Sequence, residues 1–323
     1  MVLALNLFRR HSLLLRLGIV VFLFSILLYN VRPHEILIAF SRARPVYLCV
    51  AIAFMAPSLF LQICKWNYLL GTIRPRPTLR HVVYSLIGGF FLGAVSPART
   101  GELARGFLIP GHSKLKIASL TVLDKGFNHA ITYTAAFVSL FLALPWPLKL
   151  IPLAMEIVLV VTLANINRLR PSIERALRSF STQQTASNTL ALFDALSRRT
   201  VWVMIGLSVA FFLTYTIQFY FFILCFTDLP FLVAAKTIPL IYAINLVMPI
   251  TIGDLGVKEM ASVKLFAPFG IAGGAAFSAS FTQNVITFII PSIIGGVILA
   301  AGSQRRRRAV RSSAGRTAPA TEK

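Results

Sequence analysis

Two stretches decide the fold: residues 82–103, VVYSLIGGFFLGAVSPARTGEL, and residues 237–255, TIPLIYAINLVMPITIGDL. Their apolar runs, 82–96 and 237–252, are 15 and 16 residues long, short of the roughly 20 that a helix needs to cross a bilayer core. Each runs into the same text. Pro97-Ala98-Arg99-Thr100-Gly101-Glu102-Leu103 and Pro249-Ile250-Thr251-Ile252-Gly253-Asp254-Leu255 both read Pro-x-x-x-Gly-acid-Leu, 152 positions apart. Further on, Asn128-His129-Ala130-Ile131-Thr132 is echoed by Asn284-Val285-Ile286-Thr287 at an offset of 156. Each copy therefore predicts a hairpin followed by a long helix with a polar start, over 82–146 and 237–301. Paired short segments interrupted by Gly and Pro are the sequence mark of repeat-built transporters, and they point to the binding site.

Around these stretches lie six longer apolar runs, at 12–31, 46–64, 117–146, 150–166, 201–227 and 271–301. The second ends on Lys65 and Trp66, which reads as an interfacial end. Composition agrees: 57% of residues are hydrophobic and 13% charged, and the mean hydropathy is +0.77. A soluble domain is about 45–50% apolar and about 25% charged, so an ordinary cytosolic enzyme and a disordered protein are both excluded. Three cysteines, Cys49, Cys64 and Cys225, without a CxxC, exclude a disulfide scaffold and read as free buried thiols.

Lys and Arg number 32 against 10 Asp and Glu, for a net charge of +22. The excess falls between apolar runs: +6 in 305–323, +4 in 167–200, +4 in 65–80, and +3 from Arg9, Arg10 and Arg16. That is the positive-inside pattern, with anionic lipid at the cytoplasmic face as counter-charge, above all for 305–323, and no nucleic acid as partner. Eight full crossings would put the Arg-rich loop 167–200 outside when the N-terminus is inside. Two re-entrant hairpins remove that conflict and leave one misfit, the outer loop 32–45 at +2. The predicted fold is an all-α integral membrane protein with about six full transmembrane helices plus two re-entrant hairpins arranged as an inverted repeat. One polytopic domain fills 1–303, including an amphipathic cytoplasmic loop at 167–200. Residues 304–323 form a basic disordered tail, and both termini are cytoplasmic.

Charge inside such segments costs about 2.5–3.5 kcal/mol per residue at a helix centre, so each charged group must pair, meet water or sit near the surface. The first repeat brings Arg99, Glu102, Arg105, Asp124, Lys125 and Asn128; the second brings Thr251, Asp254, Lys258, Glu259, Gln283 and Asn284. Glu102 and Arg105 (i,i+3) and Asp254 and Lys258 (i,i+4) are spaced to neutralise each other on one helical face. Two roles fit: ion pairs that brace irregular backbone with no substrate, or a site in which Arg99 and Arg105 hold an anionic headgroup bidentately. Glu156 calls for snorkelling or a partner such as Lys149. His81, His112 and His129 lack metal-ligand spacing and suit loop or interface roles. Gly89-x-x-x-Gly93 and Gly270-x-x-x-Gly274 predict close helix packing. No Walker A, HExxH or G-x-S-x-G sequence occurs, so no nucleotide, cofactor or metal is expected.

Residues 93–105, then Ser119 to Asn128 with Asp124-Lys125, then residues 249–259, resemble the lysylphosphatidylglycerol synthase transmembrane-region family, also called flippase-like. The resemblance spans roughly residues 10–303. It corresponds to the membrane half of the bacterial multiple peptide resistance factor. It implies a membrane region that moves lipids between leaflets, with lipid aminoacylation left to a separate soluble domain for which this sequence is expected to have no room. It also assigns Arg99, Glu102 and Arg105 to the family's arginine/acid hairpin, Asp124 to its acidic helix position, and Asp254, Lys258 and Glu259 to its second glycine-acid stretch. Lys125 and Lys258 stand where Arg is usual, and Asp254 where Gly is usual. The expected function is translocation of a lipid with an anionic or polar headgroup in the cell (inner) membrane. The alternatives are a lipid-modifying transferase using Glu102 or Asp124 as base, and a non-transporting accessory subunit of an envelope-lipid enzyme.

Overall fold

The computed structural model describes residues 33–73, 75–96, 99–165, 171, 197–248 and 255–302, and among them every regular element is helical. The predicted span 12–31, most of the loop 167–200, the tail 304–323 and Asp254 lie outside the described residues. A short helix, α1 (Pro33–Ser41), precedes α2 (Pro45–Leu70), which runs in two segments joined at Phe54. Helix α3 (Leu79–Ala94) reverses into a tight 3-10 return arm, Thr100–Leu108. Helices α4 (Lys114–Ala143) and α5 (Leu150–Ala164) follow. After the loop come α6 (Arg198–Phe226), α7 (Phe231–Val247), α8 (Val257–Phe266) and α9 (Gly273–Gly302).

The chain thus runs twice through one order: long helix, helix of 16 or 17 residues, short arm, helix of 30 residues. The halves exchange partners reciprocally. Helix α7 packs along α4. In return, α9 packs on α3, where Ser292 Oγ donates to the Phe90 carbonyl at 3.1 Å and Gly295 lies against the Ile87 backbone. Each half also has its own core, one around Trp66, Leu86, Ile117 and Leu120, the other around Phe219, Phe222, Ile238 and Phe266.

Local chemistry sets the ends. Ser113 and Ser197 cap α4 and α6, each accepting a backbone N–H from the first turn. Leu144 ends α4 in extended backbone because Pro145 follows it. In α9, Pro291 has no N–H to offer the Thr287 carbonyl, and the helix widens over Val285–Ile289 into a π turn closed by the Ile290 N–H on the Val285 carbonyl. Gly270 takes left-handed backbone at φ 74°, and Gly274 meets the backbone of Glu35 in α1.

Among the described residues three helices, α2, α6 and α9, are long and apolar enough to cross a membrane. Only 11%, 28% and 22% of their most apolar windows are buried within the protein, so most of that surface needs an apolar surrounding. Helix α5 is shorter than predicted, at 15 residues, about 22 Å at 1.5 Å per residue. Two readings need correcting. Cys49 is exposed rather than buried, while Cys225 is buried. Lys65 and Trp66 do not mark an interfacial end: α2 continues to Leu70, and both side chains are almost wholly buried. Trp66 Nε1 donates to Ser85 Oγ on α3 at 2.9 Å, which draws the indole inward.

The reversal after α3 tolerates no side chain at Gly101, where a Cβ would lie 1.9 Å from the Leu92 carbonyl oxygen. Gly101→Ala is expected to cost upwards of about 1–3 kcal/mol through overpacking. The measurement is a thermal unfolding series in detergent, with Gly126→Ala, where a Cβ meets nothing, as the unaffected control.

Candidate functional site

The site is built on the reversal between α3 and its return arm. Ser96 Oγ donates to the Gly93 carbonyl and accepts the Gly101 N–H at 2.6 Å, while Arg99 sits in left-handed backbone at φ 55°. A non-glycine residue there carries a cost of roughly 1–2 kcal/mol, and the reversal fixes where its guanidinium emerges. The Gly89/Gly93 stripe of α3 faces this arm. It makes room for side chains, not for a helix backbone as predicted. A Cβ at Gly89 would lie 2.4 Å from Arg105 Nε, and one at Gly93 would lie 2.8 Å from Glu102 Cγ.

Glu102, buried in that slot, meets three cations: Arg105 at 2.6 Å, Lys125 at 2.8 Å and Arg99 at 3.2 Å. Behind it Asp124 meets Lys65 at 3.1 Å and Arg105 at 4.0 Å. Lys65 also donates to Asn128 Oδ1, and Arg105 lies 5.3 Å from the Trp66 ring centre. Four cations and two carboxylates leave a formal excess of +2. The predicted Glu102–Arg105 pair is therefore present, but it is one edge of a larger cluster. Arg105, Glu102 and Lys65 are sealed, whereas the Arg99 and Lys125 side chains keep 27% and 31% of their exposure.

That exposure opens onto a cavity of about 180 Å³ between the two halves. The first half lines it with Arg99, Lys125, Asn128, His129 and Thr132, and the second with Tyr242, Asn245, Lys258, Asn284 and Thr287. Phe211, Phe212 and Tyr215 of α6 close one wall. The π turn of α9 brings Phe288 to the cavity, where its ring lies 3.7 Å from the Arg99 guanidinium carbon. Lys258, 4% exposed, donates to Gln283 Oε1 at 2.6 Å. Gln283 in turn donates to the Tyr242 hydroxyl at 3.1 Å. The Lys258 ammonium also lies 5.0 Å from the Phe219 ring centre and 5.9 Å from that of Tyr242, within cation–π reach.

Not every predicted residue lines the cavity. Arg105, Glu102 and Asp124 stand behind its wall. Glu259 is fully buried and accepts the Gly256 N–H at 2.6 Å, capping α8. His129 lines the cavity instead of a loop, while His112 does serve loops, touching the Pro75 and Pro110 carbonyls. Glu156 accepts from Thr134 of α4 at 3.1 Å rather than pairing with Lys149, whose ammonium lies 5.3 Å from the Phe141 ring centre. Sequence reasoning missed Lys65 and the aromatic wall. At the end of its apolar run Lys65 carried no signal of burial beyond its polar neighbours Gln62 and Asn67.

Fold and site together define a polytopic helical membrane protein with a cationic cavity between two halves of matching element order. The chain belongs to the family described as the lysylphosphatidylglycerol synthase TM region, whose model matches residues 13–295 of 323. No curated protein matches the chain.

Glu102 holds the cluster together, so Glu102→Gln leaves buried Arg105 with only its 4.0 Å contact to Asp124 and takes the carboxylate from Lys125 and Arg99, and is expected to cost about 3–5 kcal/mol. Asp124→Asn is expected to cost less, because Lys65 keeps its bond to Asn128. Thermal unfolding of both variants in one detergent orders the two effects.

Proposed function

We propose that the chain translocates a lipid with an anionic or polar headgroup between leaflets, the headgroup passing through the cavity while the acyl chains stay in the bilayer. The observation that carries this reading is the cavity lining. Arg99 and Lys125 come from one half and Lys258 from the other, and no carboxylate lines the cavity among the described residues. Arg suits a phosphate by its planar fork, and the surrounding Asn, Thr and Tyr groups suit hydroxyls. The same lining disfavours a transferase: Glu102 and Asp124 are engaged by cations behind the wall, where a general base would need to face the substrate.

In this reading α2, α4, α5, α6 and α9, with a further span at 12–31, cross the membrane of the cell, in bacteria the inner one. The units α3–return arm and α7–α8 are re-entrant hairpins inserted from opposite faces as an inverted repeat. Long-range contacts support that topology, because each joins segments assigned to one side. Arg44 and Asp228 pair bidentately at 2.5 and 2.7 Å between the two outer loops. His112 bridges the inner loops at Pro75 and Pro110. The Arg44 pair also lightens the one misfit of the charge pattern, the +2 of loop 32–45. Hydrogen bonding and charge from Arg44 hold the Asp228 carboxyl below its ordinary range, so the pair stays ionised to lower pH than a free aspartate would.

The test is leaflet exchange of a headgroup-labelled anionic lipid in proteoliposomes, followed by external quenching. Arg105 is buried, so its alanine variant confounds transport with stability; Arg99 and Lys258 are the sharper probes. Arg99→Gly relieves the left-handed backbone and removes the cation. It is expected to keep or raise the Tm while slowing exchange roughly tenfold or more, as for loss of one charge-assisted hydrogen bond. Lys258→Met is expected to slow exchange similarly. Exchange unchanged in both variants would remove the cavity from the lipid path.

A further inference from the structure

A second concavity lies away from the cavity between the halves. It measures about 1220 Å³ and is formed where α3 begins, where the return arm runs into α4, and where α9 ends. Its polar side carries Arg80 and Lys114, both exposed, and its apolar side carries Phe107, Ile298 and Leu299. No acidic residue lines it among the described residues. Arg80 has no acidic partner among those residues either, and Lys114 only lies 4.4 Å from the Phe107 ring centre. Two cations without counter-charge beside an apolar shelf are amphipathic in the sense of a lipid: a charged end at the rim and a greasy end along the helix.

The groove's level along the molecule fits the same occupant. Helix α9 is long and apolar enough to cross a membrane and ends at Gly302, which lines the groove. Arg305 to Arg308 follow within six residues. The groove therefore sits where a crossing helix leaves the hydrocarbon, at headgroup depth, with Ile298 and Leu299 one turn deeper. The basic segment 305–311 carries the same sign as the groove and is not its complement; a net-anionic molecule is.

We infer that this groove binds one net-anionic glycerophospholipid of the adjoining leaflet, its phosphate between Arg80 and Lys114 and an acyl chain along Phe107, Ile298 and Leu299. The groove is separate from the proposed translocation path. The two share helices α3, α4 and α9 but no lining residue, and the return arm runs between them: Phe107 and Leu108 come two and three residues after Arg105, and a Cβ at Gly88 would lie 2.5 Å from Leu108 Cδ1. A lipid held here braces the arm that carries Glu102 and Arg105.

Native mass spectrometry of the full chain, released from micelles doped with dioleoylphosphatidylglycerol, tests the assignment. The wild type is expected to retain one anionic lipid that Arg80→Ala/Lys114→Ala loses, with affinity falling roughly thirtyfold at about a factor of five per cation. Dioleoylphosphatidylcholine is expected to bind more weakly, and inorganic phosphate is expected not to displace the lipid, which separates a headgroup from a free anion. Lys258→Met, which lines the cavity and not the groove, is expected to keep this lipid even where it slows exchange, so failure of the translocation reading leaves the groove standing. Equal retention by wild type and double variant, equal binding of the zwitterionic lipid, or displacement by phosphate alone would overturn the proposal. If the double variant does not elute as a single species, Arg80→Glu at its exposed position carries the same comparison.

Discussion

One carboxylate organises the first half of this protein. Glu102 draws Arg99, Arg105 and Lys125 to a single point, and those residues come from a turn, a return arm and a 30-residue helix. The carboxylate adds to the packing of the return arm on α3 and α4 a set of ion pairs that pins a nine-residue 3-10 run, longer than that geometry usually sustains. The glycines of α3 are the complement of the same interaction. Gly89 and Gly93 leave the space that Arg105 and Glu102 fill, so the pair is set into the helix surface and shielded from the surroundings.

The second half solves the same geometric problem with different chemistry. Its buried lysine, Lys258, rests on Gln283 and on aromatic rings, and its acid Glu259 caps α8. Among the described residues the two halves therefore share an order of elements but not a cluster of ion pairs. The cavity inherits that asymmetry. The first half presents a guanidinium and an ammonium backed by carboxylates, and the second presents an ammonium set among amides and rings.

Much of this was legible in the sequence. The Pro-x-x-x-Gly-acid-Leu text marked the reversal after α3, its second copy lying mostly outside the described residues, and the i,i+3 spacing of Glu102 and Arg105 gave their ion pair. What was not legible depends on contacts distant along the chain. Lys65 reads as the end of an apolar run, and only the approach of Asn128, 63 residues on, shows that α2 carries it inward. Arg99 and Arg105 look equivalent as text. The left-handed backbone at Arg99 turns it towards the cavity, whereas Arg105 lies two turns along the arm against Gly89. The π turn of α9 was visible only as Pro291, and its consequence, Phe288 beneath Arg99, needed the widened backbone.

Buried ion pairs are a poor source of stability, because desolvation offsets most of their attraction. A cluster of four cations and two carboxylates therefore asks for another reason. A fully balanced cluster would give a passing anion no cause to enter, and an unbalanced one of four cations would hold it too long. An excess of +2, shared between Arg99 and Lys125 at the cavity wall, lies between those limits. Permeation sites in general must bind well enough to admit and weakly enough to release. On the proposed function, Glu102 and Asp124 do more than brace the hairpin: they set how strongly the cavity holds a headgroup, and so how fast it lets one go.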